Sequence, residues 1–361
     1  MSGGASAPEP PGGAEPPGGS GRVSARRRRW VLATVGAVVV VLAALAVIFL
    51  AIQRPSPPAA GPTATSARPS PSATATARAP TLPELPPGPL NILVMGSDIR
   101  GSAQQAVQGQ AATGGVTDQR SDMIMLIHIP ADRRRVYGIS IMRDNWVAIP
   151  GYGDSKINAG LGLGGPQLVV DTVSALLKTH IDHYVLTDFD GFRALTDAIG
   201  GVTVNVTVPF TADFDTHHTF TAGPNKLDGE AALEFVRERY AFPDGDYQRV
   251  RDQQAFLHAV ITQLLGTGRV RDPASAIAII AAVAPHLIVD KGLDLTGLAA
   301  LGYALRGVDS ASSVFFTLPT AGTGTSPNGQ SIVVPDYQGI AEVSAALASD
   351  GLAAYAAAHG L

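Results

Sequence analysis

The chain has 361 residues, 45% of them hydrophobic and 16% charged, which allows one or two buried cores and excludes a wholly disordered protein. Its 26 basic and 30 acidic residues give a formal net charge of −4, which excludes duplex binding through bulk positive charge. With no cysteine, disulfides, thiolate nucleophiles and cysteine-ligated zinc are excluded too, and topology must indicate the compartment.

Residues 1–29 are mostly Gly, Pro, Ser, Ala and Glu and end in the run Arg26–Arg29, a composition that cannot offset ordering entropy and predicts a disordered tail. Trp30–Ile52 carries no charge and is rich in Val, Ala and Leu, long enough as a helix to cross a bilayer. It is too long for a signal-peptide core and ends in Gln53-Arg54 rather than a small-residue cleavage site. The arginines before it place the N-terminus in the cytoplasm and everything after it outside the cell, attached by a single pass through the cell membrane. Residues 53–89 alternate Pro with Ser, Thr and Ala and read as a semi-extended spacer.

From Leu90 to Leu361 the pattern predicts one extracellular domain. Apolar runs at Asn91–Met95, Met123–Ile129 and Val136–Ile141 read as strands. They are followed by a helix at Gln167–Thr179, a strand at Tyr184–Phe189, a helix at Phe192–Ile199 and a strand at Val202–Val208. Helices at Glu230–Arg239, Val250–Leu264, Ala274–Ala284 and Leu295–Leu305, strands at Val314–Leu318 and Ser331–Val334, and a helix at Tyr337–Leu347 complete it. The order is that of an α/β fold, a central mixed sheet between helical layers.

No G-x-S-x-G, H-E-x-x-H or phosphate-loop pattern is present, and the eight histidines show no metal-ligand spacing. Arginine and aspartate instead gather at strand ends and helix starts. Asp98 follows the first strand and Asp122 opens the second, so neighbouring strands would bring the two carboxylates together, a donor set that suits Mg²⁺. Taken singly, each reads more readily as a turn or cap residue, and it is the pairing that favours a site. Arg143-Asp144 and Lys156 follow the third strand, where an α/β sheet usually opens its site. In the stretch 237–254, Arg237 and Arg239 share a ligand only if the helix ends there, as Pro243 allows. Asp246, Arg249 and Gln253 fall on one polar stripe of the next helix, with Val250, Phe256, Leu257 and Val260 facing elsewhere. Taken alone that helix reads as an exposed, salt-bridged one. Several converging guanidiniums require a ligand with many negative oxygens, and a pyrophosphate with Mg²⁺ meets the requirement.

The segments NILVMGSD (Asn91–Asp98), RSDMIML (Arg120–Leu126), SIMRD (Ser140–Asp144) and IPGYGDSKINAG (to Gly160), with the segment from Asp182 to Val206, GEAALEFVRER and GDYQRVRDQQ, are similar in order and number to the LytR-CpsA-Psr family of bacterial envelope proteins. The similarity runs from Leu90 to about Leu265. It implies an α/β domain that buries a polyprenyl tail and acts as a phosphotransferase, moving a polyprenyl-pyrophosphate-linked glycopolymer, teichoic-acid-like or arabinogalactan-like, onto peptidoglycan during cell wall biogenesis. By the same resemblance Asp98 and Asp122 would ligate Mg²⁺, and Arg120, Arg143, Arg237, Arg239, Arg249 and Gln253 would contact the pyrophosphate. Lys156 and Asp246 stand in the same motifs, and Asp246 would orient or deprotonate the acceptor hydroxyl.

The chain departs from the family pattern at Asp252, where many members carry Arg, and Arg251 one place earlier is turned by about 100° on a helix. Gly101–Gly115, rich in Gly, Gln and Ala, reads as a flexible loop beside the mouth. Two other functions fit the same residues: a polyprenyl-pyrophosphate hydrolase, and an envelope module that binds a lipid-linked polymer without turnover. Nucleic acid is not an expected partner, because the short basic tail has no DNA-reading element.

Overall fold

The computed structural model describes residues 81–99, 102–213, 215–266, 270 and 272–361; the span and almost all of the spacer expected from the sequence lie outside the described residues. The first half contains β1 (Leu90–Ser97), α1 (Ala103–Thr113), β2 (Ser121–Ile129), β3 (Tyr137–Ser140), β4 (Trp146–Ile149), β5 (Gly153–Lys156), α2 (Ala159–Leu177), β6 (His183–Thr187) and α3 (Phe189–Ala198). It continues through β7 (Val202–Val206), β8 (Phe210–Thr211), β9 (Thr219–Phe220), β10 (Gly223–Leu227), α4 (Gly229–Arg237) and α5 (Asp246–Gly266). The last part holds α6 (Pro273–Val283), β11 (Ile288–Val289), α7 (Leu295–Ala304), β12 (Val314–Thr317), β13 (Thr320–Thr325), β14 (Ser331–Pro335), α8 (Tyr337–Ala348) and α9 (Leu352–His359).

Six strands form the central sheet in the order β11-β6-β1-β2-β3-β12. β1 pairs antiparallel with β2 and parallel with β6, and β3 pairs antiparallel with β2 and parallel with β12, so the sheet is mixed as the element order predicts. Alternation along β1 divides the layers: Leu93 and Met95 face a core built with Val169, Val173 and Leu177 of α2 and Val343 of α8. Ile92 faces the opposite side, where Ile261 of α5 and Leu301 of α7 pack. Leu82 and Leu85, ahead of β1, already pack against the domain. A further core under α4 and α5 is aromatic, with Phe210 stacked on Phe220 at 4.6 Å and edge-on to Phe242 at 4.8 Å.

One reading is corrected. Within the stretch expected to be a loop, Ala103–Thr113 is helical, with the Ser102 hydroxyl accepting from Gln105 N and Gly114 closing the helix at φ +65°. Its Gln and Ala residues favour helix, and only Gly109 interrupts them. It is held by buried Gln110, whose side chain donates to Gly162 O at 2.8 Å. The expected strand at Val202–Val208 is present as Val202–Val206 and pairs with β10 in a two-stranded ribbon apart from the central sheet. Among the described residues α2 alone is long and apolar enough to cross a membrane, yet it is a core helix, kinked at Gly164-Gly165-Pro166 and largely buried. His128 is buried in β2 and hydrogen-bonded between Asn91 (2.8 Å) and Asp350 (3.0 Å), not the surface or turn residue its type suggests.

Candidate functional site

β1 and β2 are neighbours, so the residues after one and before the other meet. Asp98 N donates to Arg120 O at 3.1 Å, and Arg120 N returns a bond to the Asp98 carboxylate at 2.8 Å. Burial first, and the Asp122 charge after it, push the Asp98 carboxyl above its ordinary range, against the lowering effect of the Arg120 N–H. Two hard oxygen donors placed where they repel form a set that a divalent cation would relieve, so the residues fit Mg²⁺. The loop after β3 is fixed to this edge through Asn158, whose N–H donates to Arg143 O and whose carbonyl accepts from Ser121 N, both at 3.2 Å.

Around Asp246, in the first turn of α5, three guanidiniums converge: Arg143 at 3.2 Å, Arg239 at 3.4 Å and Arg249 at 3.1 Å. Burial would raise the Asp246 carboxyl, but Arg249, Arg143 and Arg239 hold it below the usual carboxylate range. Arg143 also donates to Asp122 at 2.8 Å. Against burial, the carboxylates of Asp122, Asp246 and Asp144 hold its guanidinium above its ordinary pKa. Arg249 is different. It is 5% exposed, its Nε has no hydrogen-bond partner, and burial followed by repulsion from Arg143 pulls its pKa down. A buried guanidinium donor without an acceptor is an anion site in waiting.

Helix α4 ends at Arg237, as the expectation of two usable arginines requires. Glu238 is extended (φ −62°, ψ 137°) and fully buried. Its carboxylate accepts from the backbone N–H groups of Arg239 (2.8 Å), Tyr240 (2.6 Å), Ala241 (3.0 Å) and Asp213 (2.6 Å). The turn that carries Arg239 away from the helix is thus built on one side chain. Arg237 lies over the Phe189 ring at 4.4 Å and pairs with Asp215 at 3.3 Å. Gln253 donates to Val236 O at 3.1 Å, tying α5 to α4.

Two cavities meet here. An apolar one of about 390 Å³ lies between β1, β6, α3, α4 and α5, with Val94, Phe192, Val236 and Val260 in its wall and Asp122, Arg237, Arg249 and Gln253 at its polar end. The other, an open polar cleft of about 650 Å³, is lined by Arg120, Asp144, Lys156 and Asp246 and by Thr323, Ser331, Ile332 and Val333 of the β13–β14 hairpin. Arg143, Arg239 and Tyr240 line both. Of the predicted site residues Asp98 alone lines neither, standing beside Arg120. One expectation is corrected: Phe256, Leu257 and Val260 do not face elsewhere but wall the same cavity as Arg249 and Gln253, because the polar stripe meets the apolar face at its mouth. Val250 does turn away, packing on Met142 and Val333.

Arg251 and Asp252 stand apart from this cluster. Arg251 pairs with Asp244 and donates to Gln248 Oε1 at 2.9 Å, and Gln248 donates to Asp252 at 2.9 Å. The second Asp252 oxygen is buried without a partner, and burial pushes the carboxyl up to about 7. Since the folded-state value is raised, the unfolded chain ionises first: stability falls as pH rises from about 4 to about 7, by an amount on the order of 3–4 kcal/mol. Asp252→Asn keeps the acceptor for Gln248 and cannot ionise. Its melting temperature is therefore expected to exceed that of the wild type by several degrees at pH 8 and to match it at pH 4.5; an equal difference at both pH values would refute the account.

Two residues were given no role from the sequence. Glu238 reads there as one more charge between two arginines, and only the turn geometry reveals its use. Asp144, adjacent to Arg143, carried a usable signal in its place after β3; its carboxylate pairs with Lys156 at 3.0 Å on the cleft side.

A family model described as the LytR_cpsA_psr family matches residues 63–349. The chain is 29% identical over 281 residues to the cell wall biosynthesis protein LcpA of Corynebacterium glutamicum, covering 69% of this chain and 54% of that protein. It is 33% identical over 191 residues to the polyisoprenyl-teichoic acid–peptidoglycan teichoic acid transferase TagU of Enterococcus faecalis, covering 53% and 61%. The chain thus spans little more than half the length of these curated relatives. The crystal structure of B. subtilis TagV superposes with a TM-score of 0.63 at 26% identity, covering 74% of this chain and 98% of that one. With the family model extending over most of the sequence and the mixed sheet and arginine cluster in place, the chain belongs to the LytR_cpsA_psr family.

Proposed function

We propose that the chain is a phosphotransferase of the cell envelope, anchored in the membrane by residues 30–52, which moves a polyprenyl-pyrophosphate-linked glycopolymer onto peptidoglycan. The observation that carries this reading is the junction of the two cavities: an apolar cavity suited to an isoprenoid ends on guanidiniums that also wall an open polar cleft. A molecule with an apolar tail, a doubly phosphorylated joint and a polar polymer matches that sequence of surfaces in order. The relative named a teichoic acid transferase supports the substrate class.

In the reaction Arg249 and Arg237 would hold the lipid-side phosphate, and Arg143 and Arg239, between the cavities, the phosphate that carries the glycan. Asp246 holds three guanidiniums together, so charge developing on the phosphoryl oxygens would meet donors already gathered. Asp98 and Asp122 would hold Mg²⁺, which when bound supplies further neutralisation of those oxygens. The apolar wall excludes water from the lipid side.

The test uses the full chain in detergent micelles with a polyprenyl-pyrophosphate-linked disaccharide, peptidoglycan fragments and Mg²⁺, with products read by mass spectrometry. A phosphodiester-linked conjugate that disappears on chelation is the expected result. Free phosphorylated sugar alone would make the protein a hydrolase, and bound, unaltered lipid would make it a binding module.

A further inference from the structure

Two of the carboxylates beside the guanidiniums of the cluster, Asp246 and Asp144, stand in opposite situations. Asp246 is saturated by three guanidiniums and held in its charged form, which makes it a scaffold and a poor proton acceptor. Asp144 lines the polar cleft but not the apolar cavity. One of its oxygens accepts from Lys156 Nζ at 3.0 Å, the other lies 3.7 Å from Arg143 Nε, and the side chain is 22% exposed. The backbone at Asp144 and at its two neighbours is clamped by two segments, β14 and residues 157–158. Val333 N donates to Asp144 O at 2.9 Å, Ile157 N to Asn145 O at 2.9 Å, and Asn158 N to Arg143 O at 3.2 Å. The carboxylate therefore stands on the side of Arg143 that faces the cleft, in a fixed place.

Phosphoryl transfer keeps the attacking and leaving oxygens roughly in line across phosphorus. If the lipid phosphate departs into the apolar cavity, the attacking oxygen must arrive from the cleft. Tyr240 suits a sugar there: it is 60% exposed, lines the cleft, and has the Arg239 guanidinium 4.5 Å from its ring centroid.

We propose that the cleft between the 239–247 segment and the β13–β14 hairpin receives the acceptor saccharide, and that Asp144 is the catalytic carboxylate that takes the proton of its attacking hydroxyl. This rests on the transferase reading above. The acceptor O–H bond breaks with its proton passing to Asp144, and a new O–P bond forms at the phosphorus bearing the glycan. The P–O bond to the lipid phosphate breaks, and the electron pair leaves on polyprenyl monophosphate. Asp144 then returns its proton to solvent through the open cleft. A carboxylate beside cations suffices for this step, because in a loose transition state the hydroxyl proton becomes acidic late.

The experiment compares the full chain and its Asp144→Asn and Asp144→Glu variants in micelles, with a farnesyl-pyrophosphate-linked disaccharide as donor and a soluble peptidoglycan tetrasaccharide as acceptor. Asp144→Asn is expected to lower kcat for transfer about 10²-fold or more, leaving the donor Kd within about twofold, and Asp144→Glu to restore part of the rate. Transfer by Asp144→Asn within about threefold of wild type overturns the proposal, as does a donor Kd that weakens in step with the rate. If the wild-type chain only releases phosphorylated sugar, the transferase reading fails by itself; hydrolysis that survives Asp144→Asn then overturns the role of Asp144, and hydrolysis that falls with it supports that role towards water. A wild-type chain that turns over neither substrate overturns both.

Discussion

Arg249→Ala is expected to slow conjugate formation by about 10³-fold in single turnover, the largest loss of any single substitution at the site. Arg249 is the most buried of the arginines, its Nε has no acceptor within the protein, and its head group leans on Asp246 at 3.1 Å. Burial first and Arg143 next oppose its charge, Asp246 and Asp122 offset this only in part, and a bound anion would relieve the rest. Removing it leaves Asp246 with Arg143 at 3.2 Å and Arg239 at 3.4 Å, so the carboxylate stays paired and the fold persists. Arg249→Lys is expected to recover little, since a single ammonium cannot present the fork that reaches Asp246 and a phosphate together. Circular dichroism separates this loss from unfolding. A rate for Arg249→Ala within tenfold of wild type would remove Arg249 from the machinery.

Val94→Trp is expected to weaken binding of a long-chain polyprenyl phosphate by about 10²-fold while leaving a short, water-soluble sugar pyrophosphate unaffected. Val94 sits in the middle of β1 on the face that walls the apolar cavity, and its strand is paired on both sides, so an indole placed there has only the cavity to occupy. Displacing about four methylenes of a bound tail at about 0.8 kcal/mol each accounts for the factor. The two Kd values, read by displacement of a fluorescent lipid, decide the matter. Equal losses for both ligands would mean that the site is distorted, and no loss for the lipid would mean that the tail lies elsewhere.

The α/β class, the mixed sheet and the long helices were legible in the sequence because they are written in local pattern: short, nearly continuous apolar runs at β1 and β2, buried along most of their length, and helical spacing in Gln167–Thr179 and Val250–Leu264. The reactive residues were legible as types, since arginines and aspartates at strand ends and helix starts have few other uses in such number. The short strands β4, β5, β8 and β9 were not, because two to four residues leave no period to read. The 103–113 helix was misread because glycines at its flanks mark a loop by composition, while its interior favours helix and Gln110 ties it to α2.

What the chain determines by itself is which charges exist and roughly which elements carry them: Asp98 after the first strand, Arg143 after the third, Arg237 and Arg239 about a helix end, Asp246 and Arg249 one turn apart. What only the tertiary structure decides is their division of labour. Whether a carboxylate is a scaffold or a proton acceptor depends on how many cations surround it, three for Asp246 and a single close ammonium with a more distant guanidinium for Asp144. Whether an arginine lines the apolar cavity or the polar cleft depends on which side of the Arg143–Arg239 partition it stands. Both are set by contacts between segments far apart in the chain, such as Val333 on Asp144, 189 residues away, and charge interactions depend on distance and burial in three dimensions, to which spacing along the chain gives no access.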